Sequence, residues 1–116
     1  MSGAAQVPRL DRRMVLEGPL RVADGAGGYE TTWAVRGVIW AMLRPGSGRE
    51  VAGEEMRIAE TPYRITVRAA PPGAEARPRP EDRLRDGTRL FTILAVTEAD
   101  ARGQYLTCFA KEEGAA

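Results

Sequence analysis

The sequence has no histidine, one cysteine and one lysine among its 116 residues, and each scarcity removes a class of chemistry. Without histidine there is no imidazole to act as a general base near neutral pH or to ligate zinc. A lone cysteine, Cys108, excludes a disulfide within the chain and any Cys-cluster metal site. It sits among Tyr105, Leu106 and Phe109, where a small buried hydrophobe is expected rather than a reactive thiol. The single lysine, Lys111, stands against 16 arginines, a bias that fits arginine-favouring codon usage as well as interfacial ion pairing. Aromatic residues make up 6% of the chain, and no apolar run approaches the length of a membrane-spanning helix. Residues 1–8 lack the charged and apolar regions of a signal peptide. The expectation is a chain made in a cytoplasm, or assembled there into something larger, with no membrane contact. A net charge of +1 provides no electrostatic drive for a dedicated nucleic-acid binder.

The 13 glycines and 8 prolines favour short strands and many turns. The length supports one small core, in which folding buries roughly two thirds of the unfolded chain's surface. The reading is all-β: a small single-domain antiparallel β-barrel or sandwich of about six strands with long loops. A flexible N-terminal arm covers 1–9, the domain 10–113 and a tail 114–116. Residues 10–17 form the first strand, ended by Gly18-Pro19, with 20–23 as a second short piece. Asp24 and the glycines at 25, 27 and 28 make the loop to a long strand over 33–43. Tyr63, Ile65 and Val67 alternate with Arg64, Thr66 and Arg68, the period of a strand with one wet face. Residues 69–80 are a Pro-rich loop. A short strand from Asp82 reaches the hairpin signal Asp86-Gly87. The return strand 88–96 looks buried on both faces, and 105–111 is the last strand.

The long strand organises the fold. Val35, Val38 and Ile39 favour a pleated surface over a helix. A bulge at Gly37 would turn Trp33, Val35, Val38, Trp40 and Met42 inward and leave Ile39, Ala41 and Leu43 outward. The expected core is Trp33, Val35, Val38, Ile65, Val67, Phe91, Ile93 and Val96.

No catalytic constellation is visible. The carboxylates lie in turns, loops or on polar strand faces, as at Glu54-Glu55 and Glu81-Asp82, and Ser47 has no base partner. The glycines at 25–28 lack the Lys and Ser/Thr of a phosphate-binding loop. Neither an enzyme, a metal site nor a cofactor is expected.

Taken in order, several segments carry a family resemblance. They are the opening strand 10–16; Gly27-Gly28; Trp33 and Val35 followed by Val38, Ile39, Trp40 and Ala41; and Glu50 and Ala52 after a Gly-rich break. Further on come 65–68; 83–87 leading to Phe91, Ile93 and Val96; and Arg102 with Tyr105, Cys108 and Glu112. Over about 10–113 the sequence resembles the head–tail joining (head-closure or stopper, head–tail adaptor) proteins of long-tailed bacteriophages. Arg, Ala and Gly usage suits a prophage or gene transfer agent version. The departures are the Pro-rich insertion 70–80 and Leu90-Phe91 where the family more often has a tyrosine. The resemblance implies a virion protein at the head–tail junction, a homo-oligomeric ring of six or twelve copies. The ring would lie below portal and adaptor and above a tail terminator or tail tube. It would retain double-stranded DNA that passes through its channel without sequence-specific binding. It also implies a channel or gating loop over 44–56, with Arg44, Gly46, Gly48, Arg49, Glu50, Gly53, Glu54, Glu55 and Met56. The residues alone fit an exposed loop equally well. Subunit or partner contacts are expected at Ile39, Trp40, Ala41, Leu43, Arg64 and Arg68. The alternative is an autonomous small barrel that binds single-stranded nucleic acid or a peptide.

Overall fold

The computed structural model describes residues 7–46 and 60–114. It contains six strands: β1 (Arg12–Ala23), β2 (Tyr29–Pro45), β3 (Glu60–Arg68), β4 (Arg83–Asp86), β5 (Arg89–Glu98) and β6 (Tyr105–Glu113). All neighbours are antiparallel, and the order β1-β2-β3-β6-β5-β4 closes into a barrel. No helix occurs among the described residues. Closure matters because a barrel leaves no unpaired edge in its body for other chains to template on.

Turn chemistry sets the short connections. Asp86 pairs with Arg89 across a two-residue loop whose first residue, Gly87, has φ 62°, as a type II′ hairpin requires. In the loop after β1, the Asp24 carboxylate accepts hydrogen bonds from the backbone N–H groups of Ala26 (2.8 Å) and Gly28 (3.0 Å). These bonds hold its pKa below the usual aspartate value.

The core is built from alternating positions on every strand: Met14, Leu16, Ile39, Ala41, Ile65, Val67, Leu84, Phe91, Ile93, Leu106, Cys108 and Ala110. Phe91 meets Tyr63 edge to face with ring centroids 5.3 Å apart. Burial, reinforced by the Asp82 charge, pushes the Cys108 thiol up to about 12, so it stays protonated and inert.

Three expectations need correction. The first strand does not end at Gly18-Pro19 but runs unbroken to Ala23. Beyond Glu17 it has no partner on the β4 side, and an edge tolerates proline's missing N–H. The second correction concerns β2. Its bulge does lie beside Gly37, since Leu16 pairs with Gly37 and Glu17 with Val35, leaving Arg36 as the extra residue. The faces are nevertheless opposite to those expected. Ile39 and Ala41 are buried and Leu43 packs on the core, whereas Val35, Val38 and Trp40 are 63%, 48% and 52% exposed. Cross-strand partners share a face, and Ala41 and Leu43 lie opposite the buried Val67 and Ile65. Third, β5 is not buried on both faces. A bulge at Leu94 keeps Phe91, Ile93 and Val96 on the core side and turns Leu94 outward at 56% exposure.

The closure itself is narrow. β1 and β4 pair through Val15, Leu16 and Glu17 against Arg85, Leu84 and Arg83. Glu17 bridges this seam: one carboxylate oxygen accepts from Arg83 Nε at 2.7 Å and the other from Arg85 Nε at 2.9 Å. Burial raises the Glu17 pKa, but the hydrogen bonds and charges of the two arginines outweigh it, and the carboxyl titrates below its usual 4.5. A depressed folded pKa means that this stabilisation is present above about pH 4.5 and is lost as the pH falls through the folded value. We expect Glu17→Gln to cost about 2 kcal/mol and lower Tm by roughly 10 °C at pH 7. The wild type and the variant should converge as thermal melts are taken to lower pH. A gap that persists unchanged at pH 2–3 would contradict the linkage.

Candidate functional site

The barrel has two distinct ends. At one, the β1–β2 hairpin continues past the β4 contact as a two-stranded arm. It is held by six residue pairs from Gly18–Ala34 to Ala23–Tyr29 and is roughly 20 Å long. Such a ribbon has no core of its own and exposes Leu20, Val22 and Tyr29, with Arg21 stacked 4.5 Å over the Tyr29 ring. Its base is braced by the bulge residue. The Arg36 side chain crosses Gly18, where a Cβ would lie 2.7 Å from Arg36 Cδ, and its Nε donates to the Glu75 carbonyl at 2.9 Å. Its Nη1 lies 3.9 Å from the buried Asp82 carboxylate, whose pKa burial pushes up. The Pro-rich loop is thus fastened to β2.

At the opposite end lie the β4–β5 turn, the end of β6 and the two roots of the β2–β3 connection. Pro45 pairs with Tyr63, the Gly46 N–H donates to the Pro62 carbonyl at 2.9 Å, and Glu60 pairs with Glu113. Arg89 locks this end. It holds both Glu112 oxygens at 2.8 and 3.0 Å, donates to the Tyr63 hydroxyl and lies 5.0 Å over the Phe91 ring. The hydrogen bond and charge of Arg89 keep the Glu112 carboxyl below its usual range, and Glu112 in turn raises the Arg89 pKa. Of the expected channel loop, Arg44 is exposed on β2 and Gly46 follows it. Gly48, Arg49, Glu50, Gly53, Glu54, Glu55 and Met56 lie outside the described residues.

The outer wall carries the expected contact residues unequally. Trp40, Arg64 and Arg68 face outward, whereas Ile39 and Ala41 are buried in the core and Leu43, half-buried, packs against it. Arg64 lies 5.5 Å over Phe109 and Arg68 5.3 Å over Tyr105, so these rings are stacked by guanidinium groups of their own chain. Trp33, expected in the core, is half-buried on the outside, with Arg83 4.0 Å over its ring. Ile65, Val67, Phe91 and Ile93 lie in the core and Val96 packs against it. Leu94 and Phe109 are outward apolar residues that pattern alone did not assign. The apolar run on both faces of 90–96 was the signal, because a bulge resolves it. No cluster of three metal-ligating side chains occurs among the described residues.

The face assignment of β2 is checked by adjacent substitutions. Ile39→Ser is expected to cost about 3 kcal/mol and Val38→Ser less than about 1 kcal/mol, read from urea unfolding midpoints. The reverse order would contradict it.

Comparison with known proteins agrees with this architecture. Residues 5–113 match the family model described as phage head completion protein. A chain in the structure of the virion of a native gene transfer agent particle is 50% identical. The match covers 95% of this chain and 100% of that one, with a TM-score of 0.78. The solution structure of protein SF1141 from Shigella flexneri 2a aligns over 96% of this chain and 98% of its own, with a TM-score of 0.66. At 23% identity that likeness speaks to the fold alone. No curated protein matches. The match over nearly the whole barrel, with a half-identical relative of the same length and fold, places the chain in the phage head completion protein family, a structural rather than an enzyme family.

Proposed function

We propose that the chain is the head-closure, or stopper, subunit of a virion or gene transfer agent particle. Several copies form a ring below portal and adaptor, retain packaged DNA and present a docking surface to the tail. The observation that carries this reading is the 50% identity, over the full length of both barrels, to a chain in a native gene transfer agent virion. The geometry suits a connector. The arm and the roots of the 47–59 segment project from opposite ends of a rigid closed barrel, so one subunit can reach axial neighbours in both directions. The gating role falls to 44–56, whose root at Pro45 pairs with Tyr63 of the Arg89–Glu112–Tyr63 clamp. Glycines at 46, 48 and 53 permit the backbone changes a gate requires. Near-neutral net charge lets DNA pass without being held.

The test is electron microscopy of particles from a producer strain lacking this gene, beside a complemented control. Heads without DNA and separate tails are expected. Complementation with a chain shortened across 47–56 should restore tail joining but not DNA retention. Filled, tailed particles from the deletion strain would overturn the reading, and full retention by the shortened chain would overturn the gating role.

A further inference from the structure

The outward residues Val38, Trp40, Met42 and Arg44 form a strip along β2, roughly 20 Å long. Trp40 stands between two arginines. Arg13 on β1 is its cross-strand partner, and Arg68, next to the Val67 that pairs with Ala41, lines the same depression of about 290 Å³. Further along the strip, Met42 and Arg44 line a groove of about 490 Å³ together with Arg9, Thr66 and Thr107. Many arginines elsewhere on the barrel are committed: Arg12 to Asp86, Arg36 to Asp82, Arg83 and Arg85 to Glu17, and Arg89 to Glu112. Among the described residues, Arg9, Arg13 and Arg44 make no hydrogen bond or ion pair, and Arg68 makes only its stack over Tyr105. The wall around the strip, residues 38–44, 62–68 and 105–111, contains no Asp or Glu. Asp11 and Glu98 border it, and the Asp100 carboxylate there is already engaged, accepting from the Tyr105 N–H at 2.9 Å. A net charge of +1 therefore conceals a local excess of cations around an exposed tryptophan.

We propose that this strip docks an extended acidic segment of another polypeptide, with apolar side chains on Trp40 and Met42 and carboxylates on Arg13, Arg68 and Arg44. The inference deepens the connector reading by naming the chemistry of one neighbour. A guanidinium is a planar fork that takes a carboxylate through two parallel hydrogen bonds, and Arg68, flat over Tyr105, is already oriented for one. A large aromatic side chain among arginines, on a surface open to solvent, has the composition of an interface centre rather than of ordinary surface. The apolar line decides between anions. A phosphate backbone would satisfy the cations but leave Val38, Trp40 and Met42 against polar groups, whereas a polypeptide with acidic and apolar side chains satisfies both. A second copy meeting this strip through the same wall would bring like charges together.

The experiment titrates the full chain with a peptide of about ten residues in which Glu alternates with Leu, long enough to span the strip. A peptide with Lys in place of Glu is the control. Anisotropy of the fluorescein-labelled peptide reads binding, and tryptophan emission with the unlabelled peptide reads its place. Saturable binding of the acidic peptide alone is expected, weakened about tenfold or more when Arg13→Glu and Arg68→Glu are combined. The emission shift should vanish in Trp40→Phe. All three positions are exposed, so the variants keep the fold, and thermal melts check it. Equal binding of the Lys peptide, unchanged affinity in the double variant, or an emission shift that survives Trp40→Phe would overturn the proposal. So would a mixed-sequence DNA duplex that displaces the peptide and loses affinity in the same double variant, which would assign the strip to phosphate. Self-association of the chain that is lost in that variant would assign it to a second copy instead. Each of these failures leaves the connector reading standing, because that reading is tested on particles from the deletion strain.

Discussion

Everything in this fold depends on a carboxylate that joins the two ends of the sheet. Between β1 and β4 the barrel closes across three residue pairs, too few for backbone pairing alone to define the seam against slippage. Glu17 adds two charge-assisted hydrogen bonds there, to Arg83 and Arg85, and Arg83 passes the constraint on to Trp33 by stacking over its ring. Without closure, β1 and β4 become edges, the core under Leu16 and Leu84 opens, and the arm loses its base.

The bulges convert this closed body into something with distinguishable sides. A regular six-stranded barrel would bury one face of each strand and wet the other. The extra residue at Arg36 sends that side chain across Gly18 toward Asp82, while Val38 and Trp40 after it remain outward. Leu94 does the same for β5. The walls of this head completion family member therefore differ from one another in their outward side chains.

Much of the architecture was legible in the residues. Asp86-Gly87 announced a hairpin through its turn chemistry, Asp24 and its glycines a loop, and Tyr63 to Val67 a half-buried strand through strict alternation. The phase of β2 was not legible. Two tryptophans argue for burial, and an extra residue at Gly37 or at Arg36 yields the same two sets of side chains; which set faces inward is settled by register with β3, which lies beyond the sequence window. Nor was Glu17 visible as the keystone, because its partners lie 66 and 68 residues away and owe their proximity to closure itself. The family resemblance supplied the functional class. Of the expected contact residues, Ile39 and Ala41 turned out to fill the core and Leu43 to pack against it.

The central claim is that this barrel sits at the junction between a DNA-filled head and its tail. An electron cryomicroscopy reconstruction of the intact particle, with the junction refined separately, tests it most directly. The account predicts repeated copies of the six-stranded barrel around the axis, arms toward one neighbouring ring and the 47–59 segments toward the channel or the other. Density for this chain in the capsid lattice or at the distal tail tip, with none at the junction, would contradict it.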